Sequence, residues 1–160
     1  VVHGRTRCQF YKGRADWVAI RAVKEAVSVP VIVNGDIVDA QTARKALDLS
    51  GADGVMIGRG AQGRPWLLAE VAHALYGTTA PERPSGAAFA EMVMVHYEET
   101  LRFYGDLLGL RVARKHLGWF MDTAGTSTDA RRAVLTAKTP AATLALLPAA
   151  LSSSEGQVAA

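Results

Sequence analysis

The chain has little that could cross-link it, anchor it or repel it from itself. One cysteine, Cys8, stands among 160 residues. No internal disulfide can form, and a reducing compartment is the default expectation. No apolar run approaches the ~20 residues of a membrane span. Neither sign of charge dominates, with 18 Lys+Arg against 15 Asp+Glu. Disorder requires low hydrophobicity and high net charge, and 49% of this chain is apolar, as in an ordinary soluble protein. Val1-Val2-His3-Gly4-Arg5 lacks the basic region and apolar stretch of a secretory signal. These absences together lead us to expect a cytoplasmic protein with no membrane partner. A chain of this length buries roughly 70% of its unfolded surface, enough for a real core. It opens without Met on what reads as the tail of a strand, so a piece of a longer protein is expected.

What is present divides by charge and by period. Residues 1–76 carry a net +3, residues 77–106 a net −3 and residues 107–138 a net +4. The first of these segments alternates short apolar strands with amphipathic helices. Val29-Pro30-Val31-Ile32-Val33 and Gly54-Val55-Met56-Ile57 are apolar on both faces, as in strands covered on both sides, and Val1-Val2 ends another. Between them Trp17, Ile20, Val23 and Val27 recur at helical spacing behind a capping Asp16. Asp39 caps a second helix, carrying Ala43, Ala46 and Leu47. This rhythm predicts parallel strands with right-handed crossovers.

The Pro- and Gly-rich stretch 77–85 reads as a linker. Beyond it the pattern is helical. Phe89, Met92, Val93, His96, Tyr97, Thr100, Leu101 and Tyr104 form one stripe, on which His96 reads as a core histidine. Leu110, Ala113, Leu117, Phe120 and Met121 form another. Thr128 is expected to cap a third helix and Thr139-Pro140 to start a fourth, which Pro148 should end. The divisions expected are therefore an α/β part over 1–76, the linker 77–85, a helical bundle over 86–150 and a flexible tail over 151–160.

Polar signals sit at the C-terminal end of each strand: His3-Gly4-Arg5-Thr6, Asn34-Gly35-Asp36 and Gly58-Arg59-Gly60. In parallel α/β folds ligands bind outside those ends. Gly58-Arg59-Gly60-Ala61, opening onto a helix, offers free backbone N–H groups and a cation to a phosphate. Read this way, the α/β part is the last three β/α units of a TIM barrel that binds a phosphorylated cofactor. Each signal alone has a plainer reading: turn glycines, a strand-end histidine with a structural hydrogen bond, an arginine paired with a carboxylate. Cys8 reads as a loop residue and not a nucleophile, since no base is identifiable near it. No metal ligand set is evident.

Several of these motifs, in this order, resemble one family. They are His3-Gly4-Arg5-Thr6-Arg7 with Gln9, Tyr11 and Gly13; Pro30-Val31-Ile32-Val33-Asn34-Gly35-Asp36; Gly51 to Gly60; and Gly63-Arg64-Pro65-Trp66. The family is the bacterial tRNA-dihydrouridine synthases. Arg114-Lys115-His116-Leu117-Gly118-Trp119-Phe120 resembles its B-type branch. The resemblance implies a flavoenzyme, a TIM barrel holding FMN followed by a helical tRNA-binding domain, which reduces tRNA uridine to 5,6-dihydrouridine with NADPH as reductant. It implies that Asn34, Gly35 and Asp36 contact FMN, that Gly58 and Arg59 hold its phosphate, and that His3 lies beside the flavin or the uracil. The family's proton-donating Cys lies upstream of the His-Gly-Arg motif and does not correspond to Cys8. This chain alone is therefore expected not to turn over, to bind FMN weakly, and to self-associate through open sheet edges.

In the helical part Arg111, Arg114 and Lys115 share a helix face, and Arg131 and Arg132 open the next helix. Without the family these are solvated charges; with it, they are expected to contact the tRNA backbone. Trp119 is placed either to pack in the bundle or to stack on a base. The competing readings are a non-catalytic RNA-binding module and another FMN-dependent TIM-barrel oxidoreductase.

Overall fold

A computed structural model describes residues 1–10 and 12–152. Tyr11 and most of the expected 151–160 tail lie outside the described residues. Helix dominates, with one small parallel sheet. The elements are β1 (Val2–His3), α1 (Val18–Ala26), β2 (Ile32–Asn34), α2 (Ala40–Ser50), β3 (Gly54–Met56), α3 (Leu67–Tyr76), α4 (Gly86–Tyr104), α5 (Asp106–Ala124), α6 (Thr128–Thr136) and α7 (Pro140–Leu151). Short 3-10 turns occupy Arg7–Gln9 and Arg59–Ala61.

Two compact units result. The first comprises Val1–Ala61 and Pro65–Glu82; the second comprises Gln62–Arg64 and the chain from Arg83 onward.

In the first unit the strands lie in chain order, β1-β2-β3, all parallel. The register places His3 beside Asn34 and Asn34 beside Met56. The strands thus end level, and the segments after them emerge along one rim. The strand cores are shorter than the apolar runs that mark them: Val31 feeds β2 from outside the ladder, yet both it and Val33 are buried. With Ile20, Ile37, Ala43, Ala46, Leu67 and Val71 they form the core. Small Ala43 and Ala46 let α2 sit close to the sheet. Asp39 caps α2 by accepting from the Thr42 amide at 2.7 Å, and Asp16 accepts from the Ala19 amide at 3.0 Å in the first turn of α1. A clamp closes the far end of the sheet. Asp53 accepts from the Val31 amide at 2.7 Å and pairs with Lys24 at 2.7 Å. The Lys24 hydrogen bond, then the Val31 amide, hold its carboxyl below the ordinary aspartate value.

In the second unit α4 and α5 form an antiparallel hairpin about Gly105. Phe89, Val93 and Tyr97 meet Ala113, Leu117, Phe120 and Met121, and all seven are buried. The two apolar stripes pair as their spacing predicts, except at His96 and at Tyr104, which is exposed at the end of α4. His96 is exposed. It sits at the seam of α4 and α5, its ring 5.2 Å from that of His116 and 5.6 Å from that of Phe120. Its stripe is broad, and the bundle covers only the Phe89-Val93-Tyr97 edge. Two further local expectations are corrected. Ser127, not Thr128, caps α6 by accepting from the Ala130 amide. Pro148 does not end α7 but lies inside it, and the helix runs to Leu151, which is buried. A proline removes one backbone donor and crowds the preceding turn; here the burial of Leu147, Ala150 and Leu151 offsets that cost. Thr139 caps α7 with Pro140 at the first position, as expected.

The His96–His116 pair carries a pH prediction. Burial, then the charge of His116, holds the His96 imidazole below the ordinary histidine value of 6.5. A base whose folded value is depressed favours the neutral form in the native state. Its contribution to stability is complete above the unfolded value and is lost as pH falls through it toward the folded value. The thermal midpoint is expected to fall as pH drops below about 6.5. The His96→Gln variant should show less of this fall. The ring is covered in part by His116 and Phe120 while the residue as a whole is exposed, so solvent screening keeps the difference below about 1 kcal/mol. Thermal melts from neutral to mildly acidic pH decide it, and parallel curves for the two proteins would refute it.

Candidate phosphate-binding rim and basic helix face

The rim of the first unit is built by the segments following each strand. After β1, the exposed His3 accepts a hydrogen bond at Nδ1 from the Arg5 amide, at 3.0 Å. That bond turns the chain so that the Arg5 side chain runs inward, where it is only 3% exposed. Its guanidinium donates to the Lys12 carbonyl at 3.1 Å, to the Gly13 carbonyl at 2.7 Å and to the Asp36 carboxylate at 2.5 Å. The remaining terminal nitrogen, Nη1, is buried and has no partner among the described residues.

After β2, Asn34 donates from its side-chain amide to the Met56 carbonyl at 2.8 Å, stitching the ends of β2 and β3. Gly35 is buried at φ 115°, and a Cβ there would lie 2.8 Å from Ala15 Cβ and 3.2 Å from His3 Cε1. Only glycine fits both the conformation and the space. Its carbonyl accepts from the Trp17 indole at 2.8 Å. Asp36 follows in the left-handed region, at φ 54°, uncommon for a residue with a side chain. One carboxylate oxygen accepts from Arg5 and, at 2.7 Å, from the Ala15 amide; the other lies 3.9 Å from Arg59. Burial pushes the Asp36 carboxyl up, but the Arg5 hydrogen bond, the Ala15 amide and the charges of Arg5 and Arg59 outweigh it and hold it below the ordinary value. Asp36 is therefore ionised at neutral pH.

After β3, Gly58 is exposed with open space where a Cβ would stand. The Arg59 side chain is 53% exposed. One expectation changes here. Gly58-Arg59-Gly60-Ala61 opens onto a single 3-10 turn, Arg59–Ala61, and α3 starts only at Leu67. The aligned dipoles of a full helix do not back this turn. The turn carries the Arg59 side chain, 3.9 Å from Asp36, and its Ala61 amide donates to the Gly58 carbonyl at 3.1 Å.

The structure thus brings His3, Asn34, Gly35, Asp36, Gly58 and Arg59 to one rim. It also adds Arg5, to which the sequence alone assigns no role. The only hint was its place in the His-Gly-Arg triplet. Cys8 is exposed, in the Arg7–Gln9 turn. Among the described residues no group of three or more His, Cys, Asp or Glu could hold a metal. No described helix is long and apolar enough to cross a membrane.

The basic residues of the second unit separate into two sets. Arg111 and Lys115 are exposed on α5, and the Lys115 ammonium lies 5.3 Å from the Trp119 ring centre, within cation–π range. Trp119 is half-buried and edge-on to His116, with centroids 5.1 Å apart. Arg114, Arg131 and Arg132 have internal partners. Arg114 donates to the Ala137 carbonyl at the end of α6, at 3.2 Å. Arg131 donates to the Gly118 carbonyl at 2.9 Å and pairs with Asp122, tying α6 back to α5. Arg132 pairs with Asp129 at 3.3 Å, both well exposed.

Comparison with known proteins shows the family to which the chain belongs. The family model for dihydrouridine synthase (Dus) matches residues 1–155. A probable tRNA-dihydrouridine synthase of Rhodobacter capsulatus is 59% identical over 155 residues, covering 97% of this chain and 47% of that protein. A probable tRNA-dihydrouridine synthase of Rickettsia conorii is 50% identical over 133 residues, 83% of this chain and 40% of that protein. The tRNA-dihydrouridine synthase B of Xanthomonas axonopodis pv. citri is 48% identical over 145 residues, 91% of this chain and 44% of that protein. The chain spans a little under half the length of these curated relatives. With a family match across nearly its whole length, and with the motifs of the rim and of α5 in place, this chain belongs to the dihydrouridine synthase family.

Proposed function

We propose that this chain carries the FMN-phosphate rim and the tRNA-binding bundle of a B-type tRNA-dihydrouridine synthase. Residues 1–76 are the last three β/α units of the FMN-binding TIM barrel, 77–85 the linker and 86–150 the tRNA-binding domain. The observation that carries this reading is the level ending of three parallel strands, which lines up Asn34-Gly35-Asp36 with Gly58-Arg59 on one rim.

The residues present fit a phosphorylated flavin. Two arginines face one carboxylate at the rim, the more exposed being Arg59, and the backbone at Gly58 is open to close approach. Arg59 and the amides around Gly58 would hold the phosphate, Asn34 to Asp36 would line the cofactor, and His3 would stand beside the ring or the uracil. The chemistry that FMN supplies when bound is hydride, drawn from NADPH, for the 5,6 double bond of a tRNA uridine. The chain's own residues bind and orient. The proton for the other carbon needs an acid, and exposed Cys8 has no hydrogen-bond or ion partner among the described residues that would make it one. We therefore carry forward the expectation that this polypeptide alone does not form dihydrouridine. Arg111, Arg114, Lys115, Arg131 and Arg132 would face the tRNA backbone, and the setting is cytoplasmic. Self-association through the sheet is part of the same proposal: Val1 and Met56, on the two outer strands' ends, are exposed, and sedimentation across a concentration series should show a dimer or larger, whereas a clean monomer would exclude it.

The test is titration with FMN and with riboflavin, following quenching of flavin fluorescence. FMN is expected to bind more weakly than micromolar, since small-ligand sites bury most of their ligand. Riboflavin should bind about tenfold more weakly still, for want of the charge-assisted phosphate contacts. Equal binding of the two would remove the phosphate site and with it this reading of the rim. Submicromolar FMN affinity would refute the expectation of weak binding.

A further inference from the structure

We propose that His96 and His116 form a two-imidazole metal site that ties α4 to α5 and takes a zinc-type divalent ion, with water completing its coordination. The site belongs to the second unit and rests on neither the flavin nor the tRNA reading.

The spacing is that of a chelating pair. The two ring centres lie 5.2 Å apart, with their planes inclined at 46°. A metal bonded to one ring nitrogen of each imidazole, at about 2.0–2.1 Å and at a tetrahedral angle, separates the ring centres by about 5 Å. The backbones therefore need not move; only turns about the side-chain bonds remain. Each imidazole is also braced by a larger ring. His96 stands edge-on to Phe120 at 5.6 Å, and Phe120 is buried against Phe89. His116 stands edge-on to Trp119 at 5.1 Å. The helices beneath are fixed by buried Val93 and Tyr97 on α4 and by Ala113 and Leu117 on α5. Side chains held in this way lose little freedom on binding.

Both rings have a nitrogen to offer. Among the described residues no hydrogen bond engages a ring nitrogen of either histidine. His96 is exposed and His116 half-buried, so water and ions reach the pair. The other histidines are engaged elsewhere: His3 Nδ1 accepts from the Arg5 amide, and His73 Nδ1 donates to the Thr78 carbonyl. A metal needs the neutral imidazole. Burial, then the charge of His116, keeps the His96 ring in that form at neutral pH.

The donor set selects the ion. Imidazole nitrogen suits zinc, copper and nickel, whereas magnesium and calcium take oxygen. No third His, Cys, Asp or Glu among the described residues joins the pair. Glu99, one turn beyond His96 on α4, is paired with Arg102. The Lys115 ammonium is held over the Trp119 ring. Two protein ligands are fewer than a resident zinc site uses, so the ion exchanges with solvent and acts as a reversible clasp across the hairpin.

The test is titration of the whole chain with zinc chloride at neutral pH, in a Cys8→Ser background because the exposed thiol also takes zinc. Nitrogen NMR of the histidine rings and calorimetry follow it. A single imidazole holds zinc at about millimolar concentration and a preset second one tightens this about a hundredfold, so a Kd of about 10 μM is expected. The ring signals of His96 and His116 should shift together, before those of His3 and His73, and magnesium should move none of them. His96→Gln and His116→Gln should each weaken binding about a hundredfold, since either leaves one imidazole. Saturating zinc should raise the thermal midpoint by several degrees in the parent and in neither variant. Circular dichroism verifies folding. Zinc that fails to move both rings by about 1 mM, or folded glutamine variants that bind as well as the parent, overturns the proposal. If a variant fails to fold, the ring signals of the parent decide: joint shifts of His96 and His116 support the site, and shifts confined to other histidines overturn it.

Discussion

Alanine in place of Gly60 is expected to destabilise the first unit by about 3 kcal/mol, the upper part of the range for forcing extra volume into a packed site. A Cβ at Gly60 would lie 2.3 Å from the Ile37 carbonyl oxygen and 3.0 Å from Val38 Cα. Both obstacles are backbone, and neither can retreat. Ile37 is a core residue, 3% exposed, and the Val38 and Asp39 amides both donate to the Thr42 hydroxyl at the start of α2. Relief must come from the Gly58–Ala61 turn, which would swing Arg59 away from the rim. The neighbouring glycine provides the control. A Cβ at Gly58 meets nothing within 4 Å, so Gly58→Ala should stay within about 0.5 kcal/mol of wild type, as for an ordinary surface change. Urea unfolding measured in parallel separates the two. Equal midpoints for Gly60→Ala and Gly58→Ala would show that the close approach at Gly60 is not a real constraint.

The second large effect concerns tRNA. Replacing Arg111, Arg114 and Lys115 together by alanine is expected to flatten the slope of log affinity against log salt by roughly two to three, about 0.9 for each phosphate that is no longer neutralised. Affinity should fall similarly across tRNA sequences, because phosphate contacts set position and not identity. The three residues should not behave alike. Arg111 and Lys115 are exposed on α5, so each single change should flatten the slope with little effect on stability. Arg114 also donates to the Ala137 carbonyl, and its removal should in addition cost about 1 kcal/mol, the net worth of one hydrogen bond. Filter binding over a salt series, with denaturation of each variant, checks both halves. An unchanged slope in the triple variant would leave this face merely solvated.

The strands and most helices were legible because each is a property of a short window. β-branched runs, helical spacing, Asp39 three residues before Thr42, and Thr139 before Pro140 are all signals within one element. The paired stripes of α4 and α5 follow from the same period. His96 shows the limit of that method. It sits at a stripe position, but whether a stripe position is covered depends on how the partner helix crosses, and here the cover runs out before it. Pro148 shows a second limit: its local signal says stop, and burial of the residues around it overrides that signal.

By itself the sequence determined that three parallel strands end in polar motifs, that a helical part follows, and that the whole resembles one family. It could do so because strand ends, caps and motif order are written in neighbouring residues. Only the tertiary structure decided which cations are held and which are offered. Arg5 and Asp36 are 31 positions apart, and they meet because β1 lies beside β2 and a buried glycine turn aims the carboxylate back across the rim. Arg131 reaches α5 because α6 folds onto it, while Arg111 of α5 stays in solvent. Pairing across that separation is set by strand order and helix packing, and burial then fixes its strength by removing the water that would screen it.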